Sequence, residues 1–204
     1  MELNPRRSAV IVIHCQGDVV APDGAFAGFF RSEIESRGTL EVIGRVLEWA
    51  RAKDIQIVYT RVAFAPDYSD MHANSQLLAV TKEMGSLKDG SKLADIVDEL
   101  APRAGDEVVT HQRVGGFSNT RLHALLQERD IDTLLLAGVA TTASVETTAR
   151  YASDLGYRTI IIEDGTSAAT PEAQAASIAS LALLAEIVTS WDLADDLPET
   201  VDAV

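Results

Sequence analysis

Several residue types are scarce in this 204-residue chain, and each scarcity excludes a class of protein. There is one cysteine, Cys15, so an intrachain disulfide and a site built from several cysteines are both excluded. Lysine and arginine number 17 against 31 aspartates and glutamates, which gives a formal net charge of −14. Such an acidic chain, without a local basic cluster, is not expected to bind the phosphate backbone of nucleic acid.

Long apolar runs are also missing. No stretch reaches the roughly 20 residues that cross a membrane, and residues 1–7 (MELNPRR) lack the apolar core of a signal peptide. We therefore expect no membrane association and a cytoplasmic location. With 47% hydrophobic residues, the chain is long enough for one sizeable core, so we expect a single domain over residues 1–204. Its last part, residues 192–204, is expected to be an acidic, loosely held tail.

Short apolar segments alternate with amphipathic ones along the chain. Strands are predicted at residues 8–14, 55–60, 107–111, 134–138, 157–162 and 186–189. Helices are predicted at residues 40–53, 93–100 and 117–129, after the fourth strand, and from Pro171 onward. Strands that alternate with helices are typical of right-handed crossovers. The sequence therefore predicts an α/β fold with three layers (αβα) and a mainly parallel, six-stranded Rossmann-like sheet.

Two segments do not follow this alternation. Residues 19–37 contain three phenylalanines and are predicted to form a lid or a subunit contact. Residues 64–90 are predicted to be a long connection, and because loops of this length are often functional, we expect it to border the binding pocket.

The fourth strand and the residues after it are the most informative part of the sequence. Its uniform apolar run suits a parallel strand covered on both faces, and Gly138 ends it. Thr141 or Thr142 is expected to cap the helix that follows. Ser144 lies near the start of that helix, where free amides and the helix dipole stabilise developing negative charge.

Two histidines close other predicted strands. His14 ends the first strand and His111 the third, and the carboxyl ends of parallel strands meet at one edge of a sheet. We therefore expect His14, His111 and Ser144 to converge. A serine becomes a nucleophile when a neutral histidine takes its proton, so Ser144 is the candidate nucleophile, His111 its base and His14 an orienting partner. The alternative is structural: a serine at a helix start is often a cap, and a histidine at a strand end is often an ordinary polar group.

Four stretches resemble the isochorismatase-like hydrolases, also called the cysteine hydrolase superfamily. They are residues 9–18 (AVIVIHCQGD), 108–117 (VVTHQRVGGF), 138–149 (GVATTASVETTA) and 154–164 (DLGYRTIIIED). The resemblance implies the α/β fold of that family and hydrolysis of a small amide, imide or ester. It also implies that His14, His111 and Ser144 stand where the family has its catalytic aspartate, lysine and cysteine. The chain is therefore identified as a divergent member in which His-His-Ser replaces Asp-Lys-Cys.

The resemblance carries further expectations about the site and the assembly. It implies a cis peptide bond between Val139 and Ala140, and an oxyanion site formed by the backbone amides of Ala140 and Ser144. Residues 66–72 do not reproduce the zinc cluster of the nicotinamidases, so no metal or other cofactor is expected. A metal held by His14, His111 and a carboxylate such as Asp18 is a weaker alternative, since two histidines are an incomplete zinc set. Relatives assemble as dimers or tetramers, so we expect a homo-oligomer whose ligand is a small molecule.

Further residues near these positions are candidates for substrate binding: Asp18, Tyr59, Phe64, Arg113, Phe117 and Thr141. Each has a structural alternative. The carboxylate of Asp18 suits a turn that it holds through backbone hydrogen bonds. Arg113 suits either an acidic group of the substrate or a surface carboxylate. The aromatic residues suit the core at least as well as a pocket, and Cys15 is interpreted as a small buried side chain.

Two other functions remain open on the sequence alone. In the first, a protonated histidine and a bound water cleave a vinyl ether without a covalent intermediate. In the second, the protein is a catalytically inactive oligomer that binds a small molecule.

Overall fold

Six parallel strands form the centre of the computed structural model, which describes residues 2–193. The strands are β1 Ser8–Ile13, β2 Gln56–Val62, β3 Glu107–His111, β4 Thr133–Val139, β5 Arg158–Ser167 and β6 Glu186–Val188. Their order across the sheet is β3-β2-β1-β4-β5-β6, and every neighbouring pair is parallel. Successive strands are therefore added toward one edge of the sheet from β1 to β3, and toward the opposite edge from β4 to β6. In open α/β sheets ligands bind beyond the carboxyl ends of the strands at such a reversal.

Helices cover both faces of this sheet. They are α1 Gly17–Val20, α2 Ala27–Arg37, α3 Thr39–Ala52, α4 Gln76–Met84, α5 Leu122–Glu128, α6 Glu146–Asp154 and α7 Pro171–Leu181. Alternate side chains of β1 enter two separate apolar cores: Val10 and Val12 pack with α3, while Ala9, Ile11 and Ile13 pack with α5 and α6. The predicted three-layer architecture and the parallel six-stranded sheet are confirmed.

The long connection predicted over residues 64–90 contains a helix that the sequence analysis missed. α4 begins after Ser75, whose hydroxyl accepts a hydrogen bond from the amide of Leu78 at 3.4 Å. It ends at Gly85, which has a φ of +67°. Both ends therefore carry ordinary helix caps. The apolar patch at residues 77–80 therefore lies in a helix, in which Leu78 is buried while Leu77 and Val80 remain partly exposed.

Two predicted helices are wrong in extent. Residues 93–100 form two single turns, Lys92–Ala94 and Asp98–Leu100. A continuous helix is prevented because the amide of Val97 donates to the carbonyl of Cys15 at 3.0 Å, which ties this segment to the end of β1. The helix predicted over 117–129 begins at Leu122, whose amide donates to the hydroxyl of Thr120 at 3.2 Å.

The segment with three phenylalanines is helical. Residues 19–37 contain the end of α1 and all of α2, and Phe26 immediately precedes α2. Phe26 is buried, whereas Phe29 is exposed. The aromatic residues therefore divide between the interior and the surface of one helix.

No helix within residues 2–193 has both the length and the apolar character to span a bilayer. Of the predicted acidic tail, residues 194–204 lie outside the described residues.

Gly138 permits the close contact between β4 and β1. Its φ is +125°, and a Cβ built at this position would clash with the carbonyl oxygen of Ile13. We expect Gly138→Ala to lower the free energy of unfolding by more than about 4 kcal/mol, because it combines a forbidden backbone conformation with a backbone clash. Urea denaturation followed by circular dichroism measures this loss.

The matched control is Gly28→Ala in α2, where a Cβ would meet no atom within 4 Å. This change is expected to leave stability unchanged or raise it by a few tenths to about 1 kcal/mol. Equal stability of the two variants would contradict the role assigned to Gly138.

Candidate active site

The two histidines at the strand ends meet in the interior. The Nε2 atoms of His14 and His111 lie 2.9 Å apart, which is a hydrogen-bond distance, and their ring centroids are 4.9 Å apart. His14 follows β1 and His111 is the last residue of β3. The main chain of β2 lies between them and contacts both: Thr60 accepts a hydrogen bond from the amide of His14 at 3.0 Å, and Ala63 donates one to the carbonyl of His111 at 3.1 Å.

His14 has an unusual backbone conformation. Its φ is +51°, in the left-handed region that non-glycine residues seldom adopt. Such conformations concentrate at functional sites, where the surrounding structure holds them. The next residue, Cys15, is completely buried in the core that contains α3. Burial raises the pKa of its thiol to about 12, with a smaller contribution from Glu99, so Cys15 carries no thiolate at neutral pH.

Burial keeps both imidazoles neutral. It lowers the pKa of His14 well below 6.5, and the neighbouring His111 adds to this shift. Burial also lowers the pKa of His111 to about 4, against a smaller opposing effect of the main chain of Arg113. Since both rings are neutral at pH 7, one of them donates its Nε2–H and the other accepts it. The Nδ1 of His111 is buried and completes no hydrogen bond within residues 2–193.

Ser144 stands beside this pair, in a wide turn formed by Thr141–Val145 between β4 and α6. The turn is closed by a π-type hydrogen bond from the amide of Glu146 to the carbonyl of Thr141. Such turns occur often at functional sites. The peptide bond between Val139 and Ala140, just before the turn, is cis, as the resemblance implied. Neither Thr141 nor Thr142 caps α6, so that prediction is wrong.

A cavity of about 140 Å³ brings Ser144 and His14 together. It is lined by His14, Val19, Phe26, Phe30, Val62, Leu77, Leu78, Thr81, Leu87, Arg113, Val114, Val139, Ala140, Thr142, Ala143 and Ser144. His111 is not among the lining residues and lies behind His14. Within residues 2–193 the hydroxyl of Ser144 makes no hydrogen bond to either ring.

A buried network of side chains supports the turn that carries Ser144. Thr141 donates a hydrogen bond to the Oε1 of Gln174 at 2.6 Å, and the Nε2 of Gln174 donates to the hydroxyl of Thr166 at 3.0 Å. Thr166 in turn donates to the carbonyl of Glu163 at 2.9 Å. Gln174 in α7 therefore connects the turn to β5. Thr141, a predicted substrate contact, is completely buried and takes part in this network instead.

The other predicted substrate contacts divide into two groups. Arg113 lines the cavity, and its guanidinium donates to the carbonyl of His72 and to the Oδ1 of Asn74, both at 3.1 Å. Asp18 is buried and accepts a hydrogen bond at 2.7 Å from the amide of Leu87, which belongs to the cavity wall. Asp18 therefore holds the wall in place, consistent with the structural alternative.

The three aromatic candidates lie in the cores and not in the cavity. Tyr59 is completely buried in β2, and its hydroxyl faces the guanidinium of Arg51 at 3.4 Å. Phe64 is buried against Tyr68, with ring centroids 6.1 Å apart. Phe117 stacks between two tyrosines on the opposite face of the sheet. None of the three lines the cavity, because the ring of each is packed into one of the two cores.

Several residues of the cavity wall were not named as site residues by the sequence analysis: Val19, Phe26, Phe30, Leu77, Leu78 and Leu87. The sequence analysis did single out the phenylalanine segment and the apolar patch at residues 77–80, which contain several of these residues. The prediction that the long connection borders the pocket agrees with the lining of the cavity. Gln174 was not predicted, because a glutamine side chain in a helix of small residues forms no distinctive sequence pattern.

A second cleft, of about 630 Å³, opens far from this site at the amino ends of the strands. It is lined in part by Arg51, Arg103 and Arg129. Each of these side chains is paired with a carboxylate, at distances of 2.5 to 2.7 Å for the shortest pairs. The arginines therefore belong to a surface network of ion pairs, and the cleft contains none of the histidine or serine groups described above.

Within residues 2–193 no three His, Cys, Asp or Glu side chains are grouped as a metal site.

The lowered pKa of His111 predicts an acid-sensitive fold. Below pH 6.5 the unfolded chain binds a proton at this histidine and the native protein does not, so stability is full above pH 6.5 and is lost as the pH falls to about 4. A shift of this size corresponds to about 3 kcal/mol. His111→Gln is expected to reduce the loss between pH 7 and pH 4 by about this amount, as measured by urea denaturation at a series of pH values.

His72→Gln is the control, because His72 is exposed and its side chain makes no hydrogen bond in the described part of the chain. It is expected to retain the pH dependence of the unsubstituted protein. If His111→Gln also retains it, the native histidine titrates normally and the argument from burial is wrong.

Gln174 is predicted to be important for stability. Gln174→Met leaves the buried hydroxyls of Thr141 and Thr166 without this partner, which is expected to cost about 1 to 3 kcal/mol. Gln127→Met, on the exposed face of α5, is the control and is expected to change stability by less than about 0.5 kcal/mol. Equal midpoints of denaturation for the two variants would exclude this role.

Comparison with known proteins places the chain in a family. The isochorismatase domain matches residues 8–192. A ureidoacrylate amidohydrolase (RutB) of Rhizobium rhizogenes is 31% identical over 184 residues, which cover 83% of this chain and 74% of that protein. The corresponding protein of Azorhizobium caulinodans is 33% identical over 180 residues, covering 81% of this chain and 78% of the relative.

Solved structures agree with the sequence relatives. A cysteine hydrolase from Pseudomonas syringae pv. phaseolicola superimposes with a TM-score of 0.85 at 26% identity, covering 95% of this chain and 93% of the other. An isochorismatase family protein from Desulfovibrio vulgaris subsp. vulgaris gives a TM-score of 0.81 at 29% identity, covering 92% and 96%. Because a family match spans residues 8–192 and relatives exceed 30% identity over most of the chain, this protein belongs to the isochorismatase family of hydrolases.

Proposed function

We propose that this protein hydrolyses a small amide by covalent catalysis, with Ser144 as nucleophile, His14 as general base and His111 as the partner that orients His14. One observation carries the proposal: Ser144 and His14 line the same cavity, and His14 is hydrogen-bonded to the buried His111. The amide class is supported by the amidohydrolases that are 31% and 33% identical to this chain.

This order of the histidines reverses the expectation from the sequence, in which His111 was the base. His14 is the ring that lines the cavity, and its Nδ1 takes part in no hydrogen bond within residues 2–193. We assign the Nε2–H to His14, donated to the Nε2 of His111, which leaves a lone pair on the Nδ1 of His14. His111, which accepts on Nε2, then carries its own proton on Nδ1. The arrangement matches the logic of a triad whose third member fixes the tautomer of the base.

The proposed reaction proceeds in two halves. The Oγ of Ser144 attacks the carbonyl carbon of the amide while its proton moves to the Nδ1 of His14. The C–N bond then breaks, the amine leaves with that proton, and the acyl group remains on Ser144. A water molecule gives a proton to His14 as its oxygen attacks the acyl ester, and the acid is released as the proton returns to Ser144.

The electrostatic environment suits the intermediate. The amides of Ala143 and Val145 both donate to the carbonyl of Ala140, at 3.2 and 3.1 Å. The amides of Ala140 and Ser144, which are the proposed oxyanion donors, take no part in these two hydrogen bonds. His14 is a weak base before reaction because burial lowers its pKa. The negative charge that develops beside it raises its proton affinity at the moment when it takes the proton.

The residues that replace the family's catalytic groups are chemically compatible with one another, which supports the proposal. By that resemblance, His14, His111 and Ser144 stand at the positions of an aspartate, a lysine and a cysteine. A thiol ionises far more readily than a hydroxyl, so a serine needs a neutral base beside it. The exchange to two neutral imidazoles provides such a base, whereas a lysine with an ordinary pKa of about 10.4 would not.

Arg113 is proposed to bind an acidic group of the substrate. It lines the cavity, and the acceptors of its hydrogen bonds are a carbonyl and an amide oxygen, both neutral. No carboxylate within residues 2–193 forms an ion pair with it. A guanidinium in this state is suited to a carboxylate of the ligand, which it can bind through two parallel hydrogen bonds.

The same pKa shifts argue against the acid-and-water mechanism. That mechanism needs an imidazolium, and the lowered pKa of both histidines leaves almost none at neutral pH. A ligand-binding protein without turnover is the second candidate, favoured because the hydroxyl of Ser144 makes no hydrogen bond to the histidine pair in the described residues.

Covalent labelling tests the nucleophile. A fluorophosphonate is expected to add one phosphonyl group to the protein at Ser144, measured by intact mass and peptide mapping. Ser144→Ala is expected to abolish this label. His14→Gln is expected to slow labelling about 100- to 10,000-fold, because a general base contributes on this order.

Ser153→Ala in α6 is the control, since its hydroxyl makes no side-chain hydrogen bond within residues 2–193, and it should label normally. Absence of the label from the unsubstituted protein, or its attachment to another residue, contradicts a nucleophilic Ser144 and leaves the ligand-binding alternative.

A further inference from the structure

The cavity beside Ser144 is apolar over most of its wall. One side is formed by Phe26 and Phe30, which belong to α2 and its start. Another side is formed by Leu77 and Leu78 at the start of α4, and Leu87 follows that helix. Two ionisable residues line the cavity, Arg113 and His14, and His14 is neutral at pH 7.

The size of the cavity limits what it can hold. At about 140 Å³ it is similar to apolar protein cavities of about 150 Å³ that bind benzene. A benzene-sized group therefore fits in this space. The wall residues offer no hydrogen-bonding side chain on α2 and few on α4, so a polar group of this size would lose its water without replacement.

The apolar wall is tied to the catalytic edge by main-chain and side-chain hydrogen bonds. Asp18 fixes Leu87 through its amide at 2.7 Å, and Tyr68 donates to the carbonyl of Ser86 at 2.6 Å. The cavity is therefore largely preformed, as small-molecule sites usually are.

We propose that the substrate carries an uncharged apolar group of about the size of a phenyl ring next to the scissile carbonyl, and that this group occupies the space between α2 and α4. The proposal rests on the proposed function, since it places the carbonyl at Ser144. It adds the substrate class: amides that carry an aryl or branched alkyl group in this space, with any acidic group of the substrate placed at Arg113 and not between α2 and α4.

Binding without turnover tests the class. Ser144→Ala protein is titrated by calorimetry with phenylacetamide, acetamide and adipamide. Phenylacetamide is expected to bind at least about 10-fold more tightly than acetamide, because the ring adds buried apolar area. Adipamide, which is long enough to reach the wall but ends in a polar amide, is expected to bind no better than acetamide.

A pair of variants on one helix locates the subsite. Leu77 lines the cavity and is 45% exposed, whereas Val80 is 36% exposed and is not part of the lining. Both changes, made in the Ser144→Ala background, are expected to fold because both side chains are partly exposed. Leu77→Asn is expected to reduce the preference for phenylacetamide over acetamide about 3- to 10-fold. Val80→Asn is expected to leave the preference unchanged.

The outcomes separate this inference from the proposed function. If fluorophosphonate labels Ser144 but phenylacetamide binds no better than acetamide or adipamide, the apolar subsite is excluded and the nucleophile stands. If phenylacetamide is preferred and Leu77→Asn weakens that preference while Ser144 remains unlabelled, the subsite stands and covalent catalysis fails. If none of the three amides binds at millimolar concentration, the assigned substrate class is wrong.

Discussion

The hydrogen bond between His14 and His111 is the interaction on which the site depends. Two imidazoles can form such a hydrogen bond only if at least one ring has an unprotonated nitrogen to accept it. Burial meets this condition because it lowers the pKa of both histidines and so keeps them neutral. The bond also needs two strands that are not neighbours to present their ends together. β2 lies between them, and its main chain binds His14 through Thr60 and His111 through Ala63. The sheet therefore fixes the pair through backbone contacts as well as through the side chains.

This arrangement explains why the residues around the pair are under close constraint. Gly138 lets β4 approach β1 at the level of Ile13, directly before His14. The turn that follows β4 is held through Thr141 by Gln174, which comes from a helix much later in the chain. Ser144 is thus positioned from one side by the packing of strands and from the other by a buried hydrogen-bond network. Neither Gly138 nor Gln174 lines the cavity, but a substitution of either residue would affect the cavity through the position of Ser144.

The sequence predicted the elements whose pattern depends on burial alone. β1 and β4 are short apolar runs covered on both faces, and their carboxyl ends identified the edge where His14 and Ser144 line the same cavity. The prediction was wrong where a tertiary contact overrides local preference. Residues 93–100 have the composition of a short helix, but the hydrogen bond between Val97 and Cys15 interrupts it. Tyr59 and Phe117 lie near strand ends in sequence, yet strand alternation and helix packing direct their rings into the two cores.

The order of the two histidines was beyond the sequence for a different reason. Both follow apolar strands, and nothing in the residue pattern distinguishes the ring that faces the cavity from the ring behind it. The structure distinguishes them: His14, whose φ is +51°, lines the cavity, whereas His111 does not and its Nδ1 is buried. Under the proposed mechanism this difference decides function, because the Nδ1 of His14 is the nitrogen assigned to take a proton from Ser144. A neutral partner such as His111 orients its neighbour without the charge of a carboxylate. The stabilisation of the intermediate then falls more heavily on the backbone amides of the turn, which an apolar cavity wall makes more effective.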